Sequence, residues 1–328
     1  MPNRGDAFCT DMSRRVVATD FGGPEVLKIT DVDVPDPGPG EVRIRVRAAG
    51  VNPADHMRYG GVFGKNPAEL PMGVGFEAAG VVTAVGADAA GPRGPVSVGD
   101  EVIAYRTPEA YADEIVVPAD TAVPKPASLD WEPASGLMLA GVTAAHAVTA
   151  AGVEDGDTVL VHNGAGGVGT AAIQLARARG ARVIATASSA NHDLIRDLGG
   201  EPVAYGDGLL ERVRDLEPRS VDAAIDLYGD TSAVDVSLAL VPDRTRIVTA
   251  ASAAMQRAQS DGFTAIGGGP GADPGTALRK AARLDLVDLI ERGDLRVVVD
   301  STYPLTDVVA AHERSMAGHL RGKIVIVP

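Results

Sequence analysis

The fold of this chain is decided by residues 159–169, VLVHNGAGGVG, where an apolar strand pattern runs into glycines with G-x-G-x-x-G spacing. A tight turn needs glycine at the first of these positions, close approach of the backbone to a pyrophosphate needs it at the second, and packing of the next helix on the strand needs it at the third. Free N–H groups at the start of that helix then bind phosphates. The stretch predicts a dinucleotide site with contacts from Gly164, Ala165, Gly166, Gly167 and Val168.

The residues that follow complete a strand-helix-strand unit. A helical pattern covers Thr170–Arg179, Gly180 ends it, and Arg182–Thr186 has the pattern of the next strand. Two later strand patterns, at 221–226 and 246–249, each follow a helix-compatible stretch. This alternation predicts an α/β fold with a doubly wound parallel sheet.

The first part of the chain is β-rich instead. Its predicted strands are 15–18, 41–47, 80–85 and 101–104. In 42–47, Val and Ile alternate with Arg, which indicates one buried face and one face in water. The chain closes with a helix and two strands that are predicted to return to the first domain, at Thr276–Arg292, 296–299 and 323–327.

Length, composition and charge limit the classes of function. At 328 residues and 45% hydrophobic content, the chain is long enough for two folded domains. A net charge of −14 argues against broad contact with nucleic acid. No apolar run of about eighteen residues occurs and the N-terminus is polar, so we expect a soluble cytoplasmic protein without membrane contact. The single cysteine, Cys9, excludes an internal disulfide and a cysteine-rich metal site.

Several short motifs occur in a fixed order: GPEVL at 23–27, PGEV at 39–42, AGVNPAD at 49–55, GFEAAGVV at 75–82, GDEV at 99–102, GVTAA at 141–145, the glycine stretch at 164–169 and GKIV at 322–325. In these motifs the chain resembles the zinc-independent quinone oxidoreductase branch of the medium-chain dehydrogenase/reductase superfamily, over about residues 15–328. The resemblance implies a GroES-like catalytic domain (1–124 and 271–328), a Rossmann domain (125–270) and a cofactor in the cleft between them.

The same resemblance shows where the chain departs from zinc-dependent members. Those members have a cysteine at the position of Asn52 and a histidine at the position of Phe76, followed by a glutamate that corresponds to Glu77. Catalytic zinc binds thiolate, imidazole or carboxylate, so we expect a metal-free protein in which Glu77 makes a buried structural hydrogen bond. Without a Lewis acid, reduction of a quinone or an α,β-unsaturated carbonyl is favoured over oxidation of an alcohol.

Cofactor choice depends on the end of the second strand of the parallel sheet. An NAD enzyme has Asp or Glu there, about 20 residues beyond the fingerprint. Here Ser188 and Ser189 follow the strand, and no carboxylate occurs until Asp193. We therefore predict NADPH, with both serines binding the 2′-phosphate. His192 stands where many relatives have lysine, and either His192 or Arg196 supplies the positive charge.

Three residues are candidates for catalysis. Asn52 is predicted to position nicotinamide and substrate, with a capping role in its own turn as the alternative. Tyr59 is a candidate proton donor, although the family often has its tyrosine two residues earlier, at Met57. Thr143 is predicted by the resemblance to reach the nicotinamide, or alternatively to start a helix.

Two loops after the later strands are predicted to border the nicotinamide through backbone groups. The residues assigned to them are Ala251, Ser252 and Ile266. His146 and Tyr111 lie in apolar sequence surroundings and are predicted to be core residues.

The leading function is an NADPH-dependent, zinc-free reductase of quinones or enones. Two alternatives remain open: an enoyl reductase acting on thioesters in a biosynthetic pathway, and an NADPH-binding protein without turnover. In relatives the strand that corresponds to 262–266 lies at the sheet edge and pairs with its copy, so we expect a homodimer.

Overall fold

A computed structural model describes residues 12–328 of the chain. Cys9 lies outside these described residues. The first part contains strands β1 Ser13–Ala18, β2 Leu27–Val32, β3 Glu41–Val51, β4 Met72–Gly73, β5 Glu77–Val85, β6 Ala90–Gly91, β7 Gly94–Pro95, β8 Glu101–Tyr105, β9 Glu114–Pro118 and β10 Ala122–Pro124, with helix α1 Pro53–Tyr59. Helices α2 Trp131–Ser135 and α3 Met138–Ala150 lead into the second part.

The second part alternates strands and helices. Its elements are β11 Thr158–His162, α4 Gly167–Ala178, β12 Arg182–Ala187, α5 His192–Asp197, β13 Glu201–Ala204, α6 Leu209–Leu216, β14 Ala223–Asp226, α7 Thr231–Leu240, β15 Ile247–Thr249, α8 Met255–Asp261, β16 Thr264–Ala265 and α9 Thr276–Glu291. The chain then adds β17 Val299–Pro304, α10 Val308–Met316 and β18 Lys323–Val327.

The predicted doubly wound sheet is confirmed. Six parallel strands follow the order β13-β12-β11-β14-β15-β16. Within β11, Val159 and Val161 pack into the core shared with α3, α4 and α9, whereas Leu160 packs into the core shared with α6, α7 and α8. Alternate residues of the strand therefore serve opposite helix layers, which is why its sequence is continuously apolar.

The glycine fingerprint also has the predicted local structure. The helix begins three residues earlier than expected, with Gly166 as its N-cap, and Gly180 follows its end with φ of +87°. A Cβ built on Gly169 falls 2.2 Å from the Asn163 carbonyl oxygen and 2.8 Å from the Gly164 Cα. The third glycine is thus required for the helix to pack against the turn.

The β-rich part forms a second large sheet, with strand order β10-β8-β5-β3-β18-β17 and β9 also paired with β3. The alternation predicted for 42–47 is confirmed, since Val42, Ile44 and Val46 are buried. The predicted return of the chain end is confirmed as well. Strand β18 pairs antiparallel with β3, from Ile324 opposite Val51.

One strand boundary differs from the prediction. The strand expected at 296–299 begins only at Val299, because Gln174 pairs with both backbone groups of Arg296 (N to Oε1 2.9 Å, Nε2 to O 3.0 Å) and thereby occupies them. Helix α9, which the predicted domain division places in 271–328, packs its Leu286 and Val287 into a core that includes residues of both sheets. The domain boundary at residue 271 stays a prediction.

Within residues 12–328, no helix is both long and apolar enough to cross a membrane. The cytoplasmic location stays a prediction.

Candidate active site

The fingerprint turn joins the end of β11 to the start of α4. Asn163 adopts φ of +60°, a left-handed conformation that asparagine tolerates. The Asn163 N–H donates to Thr186 Oγ1 (3.0 Å), and the Gly164 N–H donates to the Thr186 carbonyl oxygen (2.9 Å). The neighbouring strand β12 therefore fixes the shape of the turn.

The start of α4 presents free hydrogen-bond donors. Across the described chain, the N–H groups of Val168 and Gly169 have no carbonyl acceptor, as is usual for the first turn of a helix, and Gly166 forms an isolated bridge with Gly322. The turn lies between β11 and β14, where the strand order reverses and doubly wound sheets bind their ligands. These donors at a positive helix end fit a pyrophosphate.

The end of β12 presents the residues predicted to select the cofactor. Ser188 is half-buried and Ser189 exposed, and neither hydroxyl is bonded to another described residue. His192 begins α5, with its Nε2 buried and unpaired in the structure as described. The Arg196 guanidinium pairs with Asp193 (2.7 Å), and both side chains are exposed. The two hydroxyls are therefore available to a ligand, whereas the His192 Nε2 is buried.

Asp226 and Thr249 organise the loops on the other side of the crevice, and the sequence did not single them out. The buried Asp226 carboxylate accepts from the N–H groups of Tyr228 (3.0 Å) and Gly229 (2.9 Å) and from Thr249 Oγ1 (2.8 Å). Thr249 Oγ1 in turn accepts from the Ala251 N–H (3.1 Å). This pair fixes the backbone at the ends of β14 and β15.

The residues expected beside the nicotinamide lie next to that pair. Ala251 is half-buried and Ser252 exposed. Ile266 is fully buried, and its N–H donates to the Thr249 carbonyl oxygen (2.9 Å). Their backbone placement near the crevice agrees with the sequence expectation, but contact with a nicotinamide stays a prediction.

A buried polar cluster lies at the ends of β3, β5 and β18, and consists of Asn52, Glu77 and Lys323. The Asn52 Nδ2 donates to Glu77 Oε1 (2.9 Å) and to the Gly50 carbonyl oxygen (3.2 Å). The Lys323 Nζ donates to Asn52 Oδ1, to Glu77 Oε1 (3.2 Å) and to the Val51 carbonyl oxygen (2.9 Å). All three side chains of the cluster are at most 5% exposed.

Helix α3 completes the cluster. The N–H of Leu139, in its first turn, donates to Glu77 Oε2 (2.8 Å), so both carboxylate oxygens are bonded. The predicted buried hydrogen bond of Glu77 is confirmed. The sequence shows Lys323 only as part of the terminal motif GKIV. Its contact with Asn52 could not be predicted, because the two residues are 271 positions apart.

The cluster changes what Asn52 can do. Both amide protons of Asn52 are used within the protein, so its side chain has no donor left for a substrate. Its Oδ1 keeps one lone pair beside Lys323. The expectation that Asn52 both donates to and accepts from the reactants is therefore reduced to acceptance, and its main role in the structure is to join β3 to Glu77 and Lys323.

Asp55 lies beneath Asn52, in the first turn of α1. Its Oδ2 accepts from the Asn52 N–H (2.7 Å) and from the Tyr111 hydroxyl (2.6 Å). Burial raises the pKa of Asp55 from 3.8 to about 7, against the opposing effect of these two hydrogen bonds. Tyr111 is a core residue, as predicted.

We expect Asp55 to make stability depend on pH. The raised pKa means that the folded state holds a proton that the unfolded chain releases, so stability falls as the pH rises from about 4 to 7. Between pH 5 and 7, the free energy of unfolding measured in urea should fall by about 2–3 kcal/mol more in the wild type than in Asp55→Asn. Asp197→Asn, at the end of α5, is the control and should retain the wild-type profile. Identical profiles for wild type and Asp55→Asn would contradict the argument.

Tyr59 does not face the crevice. It lies four residues after Asp55 on the buried face of α1, is 1% exposed, and its hydroxyl is 2.9 Å from His312 Nδ1. Burial raises the pKa of the Tyr59 hydroxyl. This placement is wrong for the predicted proton donor, because the hydroxyl is enclosed by α10.

Thr143 lies within α3 and not at its start. Its Oγ1 donates to the Leu139 carbonyl oxygen (2.8 Å), one turn earlier, and the residue is 8% exposed. Because the Leu139 N–H binds Glu77, Thr143 is one helical turn from the buried cluster. The structure thus brings Asn52 and Thr143 into one region and leaves Tyr59 outside it.

The two positions that bear zinc ligands in zinc-dependent relatives hold non-ligating groups. The amide of Asn52 is hydrogen-bonded to Glu77 through Nδ2 and to Lys323 through Oδ1. The Phe76 ring lies under the Arg58 guanidinium, whose central carbon is 5.9 Å from the ring centroid. The part of the chain described here also contains no group of three His, Cys, Asp or Glu side chains arranged to hold a metal ion.

Comparisons with known proteins agree with this architecture. Residues 38–127 match the family model of the alcohol dehydrogenase GroES-like domain, and residues 198–326 match that of zinc-binding dehydrogenase. The chain is 33% identical to a quinone oxidoreductase of Pseudomonas aeruginosa, which covers 97% of this chain and 100% of that protein. It is 32% identical to the chloroplastic NADPH-dependent alkenal/one oxidoreductase of Arabidopsis thaliana, and the match covers 98% of this chain and 81% of that protein. A mycobacterial structure complexed with NADPH superimposes with a TM-score of 0.82 at 31% identity. The match covers 96% of this chain and 100% of that protein.

Proposed function

Because the chain belongs to the quinone oxidoreductase branch of the medium-chain dehydrogenase/reductase superfamily, we propose that it is a zinc-independent, NADPH-dependent reductase of quinones or α,β-unsaturated carbonyls. The observation that carries the proposal is the direct connection between the fingerprint turn and the buried cluster. The Gly322 N–H donates to the Ala165 carbonyl oxygen (2.8 Å), and Lys323 follows at once. A dinucleotide bound on the turn would therefore lie near Asn52, which supports the proposal.

The residues that would hold NADPH lie on three elements. The N–H groups that begin α4 would bind the pyrophosphate, Ser188 and Ser189 the 2′-phosphate, and the loops fixed by Asp226 and Thr249 would border the nicotinamide. When bound, this cofactor supplies the hydride. The residues named above would orient the cofactor in the crevice.

Zinc independence rests on the chemistry of the donors. The two oxygens of Glu77, the carboxylate within the cluster, already accept from Asn52, Lys323 and the Leu139 N–H, and Asp55 beneath Asn52 is engaged by the Asn52 N–H and Tyr111. A metal would have to displace these hydrogen bonds and would gain only a single strong ligand, where catalytic zinc uses three protein ligands.

The test is oxidation of NADPH with a small quinone and with an enone, beside oxidation of a primary alcohol with NADP. We expect turnover of the first two, little or none of the alcohol, and a dissociation constant for NADPH at least about tenfold below that for NADH, since charge-assisted hydrogen bonds to the 2′-phosphate contribute about 1.5–3 kcal/mol each. The double variant Ser188→Ala/Ser189→Ala should lose most of the preference, and Ser260→Ala on the surface of α8 should retain it. Equal affinities for both cofactors, alcohol oxidation that exceeds enone reduction, or stoichiometric zinc in the purified protein would contradict the proposal.

A homodimer stays a prediction. The hydrogen bonds of strand β16 limit how a second copy could pair with it. This strand lies at the sheet edge as expected. However, the Ala265 carbonyl oxygen already accepts from the Asp273 N–H (2.8 Å), and the Gly267 N–H donates to the Asp273 carbonyl oxygen (2.9 Å). Pairing with a second copy must use the residues before Ala265 or displace this loop, and the mass in solution by light scattering distinguishes dimer from monomer.

A further inference from the structure

Two arginines lie beside the proposed site and take no part in the interactions described so far. Tyr105 ends β8 directly opposite Glu77 of β5, and Arg106 follows it. Tyr105 is 6% exposed, whereas Arg106 is exposed. The end of β8 therefore carries an arginine to the rim of the Asn52–Glu77–Lys323 cluster.

The second arginine, Arg279, reaches the same place from α9. Its guanidinium lies close enough to the Tyr105 phenol and to Arg106 for their charges to interact. Burial lowers the pKa of Arg279, and the nearby Arg106 lowers it further, but an arginine remains charged in proteins. Two positive charges are thus held near each other at the edge of the crevice.

Arg279 is held in place by a short chain of side chains. Its Nε donates to His146 Nδ1 (3.2 Å), and His146 Nε2 lies 3.1 Å from Asp273 Oδ2. Because Nδ1 accepts, Nε2 carries the proton and donates to the carboxylate, which fixes the neutral tautomer of the ring. Asp273 also bridges to Ile266, one of the residues expected beside the nicotinamide. His146 is buried, as predicted for a core residue, but it orients an arginine.

Neither arginine makes a direct ion pair, and Asp273 reaches Arg279 only through His146. In residues 12–328, no carboxylate oxygen lies within the 4.0 Å salt-bridge distance of Arg106 or Arg279, although the chain has 44 acidic residues against 30 basic ones. Like charges repel, and a half-buried guanidinium is costly without an anion. Such an arrangement is typical of a binding site for a negatively charged group, since guanidinium groups bind oxyanions through paired N–H donors.

We propose that Arg106 and Arg279 form an anion-binding site on the substrate side of the crevice, so that the preferred acceptor carries an anionic oxygen group beside its conjugated carbonyl. The group is either a carboxylate on the acceptor itself or a phosphate on a carrier such as coenzyme A. This inference rests on the proposed function and names its substrate class.

The first arm of the test compares acceptors that share the conjugated carbonyl and do or do not carry an anionic group. With NADPH present, kcat/KM is measured for 4-oxopent-2-enoate and its methyl ester, and for crotonoyl-coenzyme A and the neutral crotonoyl N-acetylcysteamine thioester. We expect the anionic member of one pair to be favoured by about tenfold or more, and the pair that shows the preference identifies carboxylate or phosphate as the source. Reduction of quinones with no preference in either pair overturns the inference alone, whereas no NADPH oxidation with any acceptor overturns the proposed function.

The second arm uses variants. Arg106→Gln and Arg279→Gln should each lower kcat/KM for the anionic member far more than for the neutral member and so remove most of the charge preference, and Arg106→Lys should keep part of it. Arg292→Gln is the control, because Arg292 caps the same helix α9 and pairs with Asp294 at the surface. If Arg279→Gln fails to fold, the exposed Arg106 still decides the matter. A preference that survives in both Gln variants overturns the proposal.

A binding measurement separates recognition from turnover. Titration of the NADP-loaded protein with 4-oxopentanoate, which has no double bond to reduce, should give a dissociation constant that rises about tenfold in Arg106→Gln and is unchanged in Arg292→Gln. For a phosphate source, inorganic phosphate replaces 4-oxopentanoate as the probe. Equal binding by wild type and Arg106→Gln of both probes contradicts the site.

Discussion

Replacement of Gly169 by alanine is expected to weaken NADPH binding by about a hundredfold and to destabilise the fold by about 3 kcal/mol. The added Cβ would lie 2.2 Å from the Asn163 carbonyl oxygen and 2.8 Å from the Gly164 Cα. Both obstacles are backbone atoms of the turn that β12 holds through Thr186, so a side-chain rotation gives no relief. Helix α4 must move away by about 1 Å, and its free N–H groups move with it.

The measurement is fluorescence titration with NADPH, together with the urea midpoint. Gly268→Ala is the matched control, because a Cβ at Gly268 meets nothing within 4 Å and its φ is not positive. Both readouts should remain at wild-type values in the control. If Gly169→Ala binds NADPH as tightly as Gly268→Ala does, the turn is not the phosphate site that we propose.

The contrast between these glycines explains why the sequence was so informative here. The spacing from Gly164 to Gly169 describes a turn of six residues, whose sterics depend almost entirely on its own atoms and on the adjacent strand. Likewise, alternation in 42–47 reports a single buried face of β3. Where geometry is local, residue type and spacing suffice to predict it.

Contacts between distant parts of the chain could not be predicted in this way. Tyr59 is seven residues from Asn52, which suggested a shared site, but the face of α1 that carries it is covered by His312 of α10. The strand expected at 296 is displaced by the Gln174 side chain, 122 residues away. In the sequence, Lys323 and Arg279 look like ordinary surface residues. The pairing of β18 with β3 brings Lys323 to the crevice, and the packing of α9 brings Arg279 there.

The second large effect concerns the buried ion pair of Glu77 and Lys323. Lys323→Met keeps most of the unbranched apolar side chain but leaves the fully buried Glu77 carboxylate without a counter-charge, which should cost about 3–5 kcal/mol. Glu77→Gln leaves the Lys323 ammonium buried in the same way. The double variant Glu77→Gln/Lys323→Met removes both charges, so we expect it to recover at least about 2 kcal/mol relative to the sum of the single variants.

Urea unfolding measures these stabilities, with Lys280→Met as the control, because the Lys280–Asp120 pair (3.2 Å) is exposed and contributes about 0.5 kcal/mol. Turnover gives the second readout. In the double variant, Asn52 Oδ1 no longer accepts a hydrogen bond from the Lys323 ammonium, although the backbone bond from Gly322 to Ala165 remains. Stability should therefore return while the rate of enone reduction stays at least about tenfold below wild type, since loss of one orienting hydrogen bond of ~1.4 kcal/mol is a factor of ten. A double variant that regains both stability and the rate of enone reduction would show that the cluster only supports the fold. A Lys323→Met variant as stable as Lys280→Met would show that the fold does not require the buried pair.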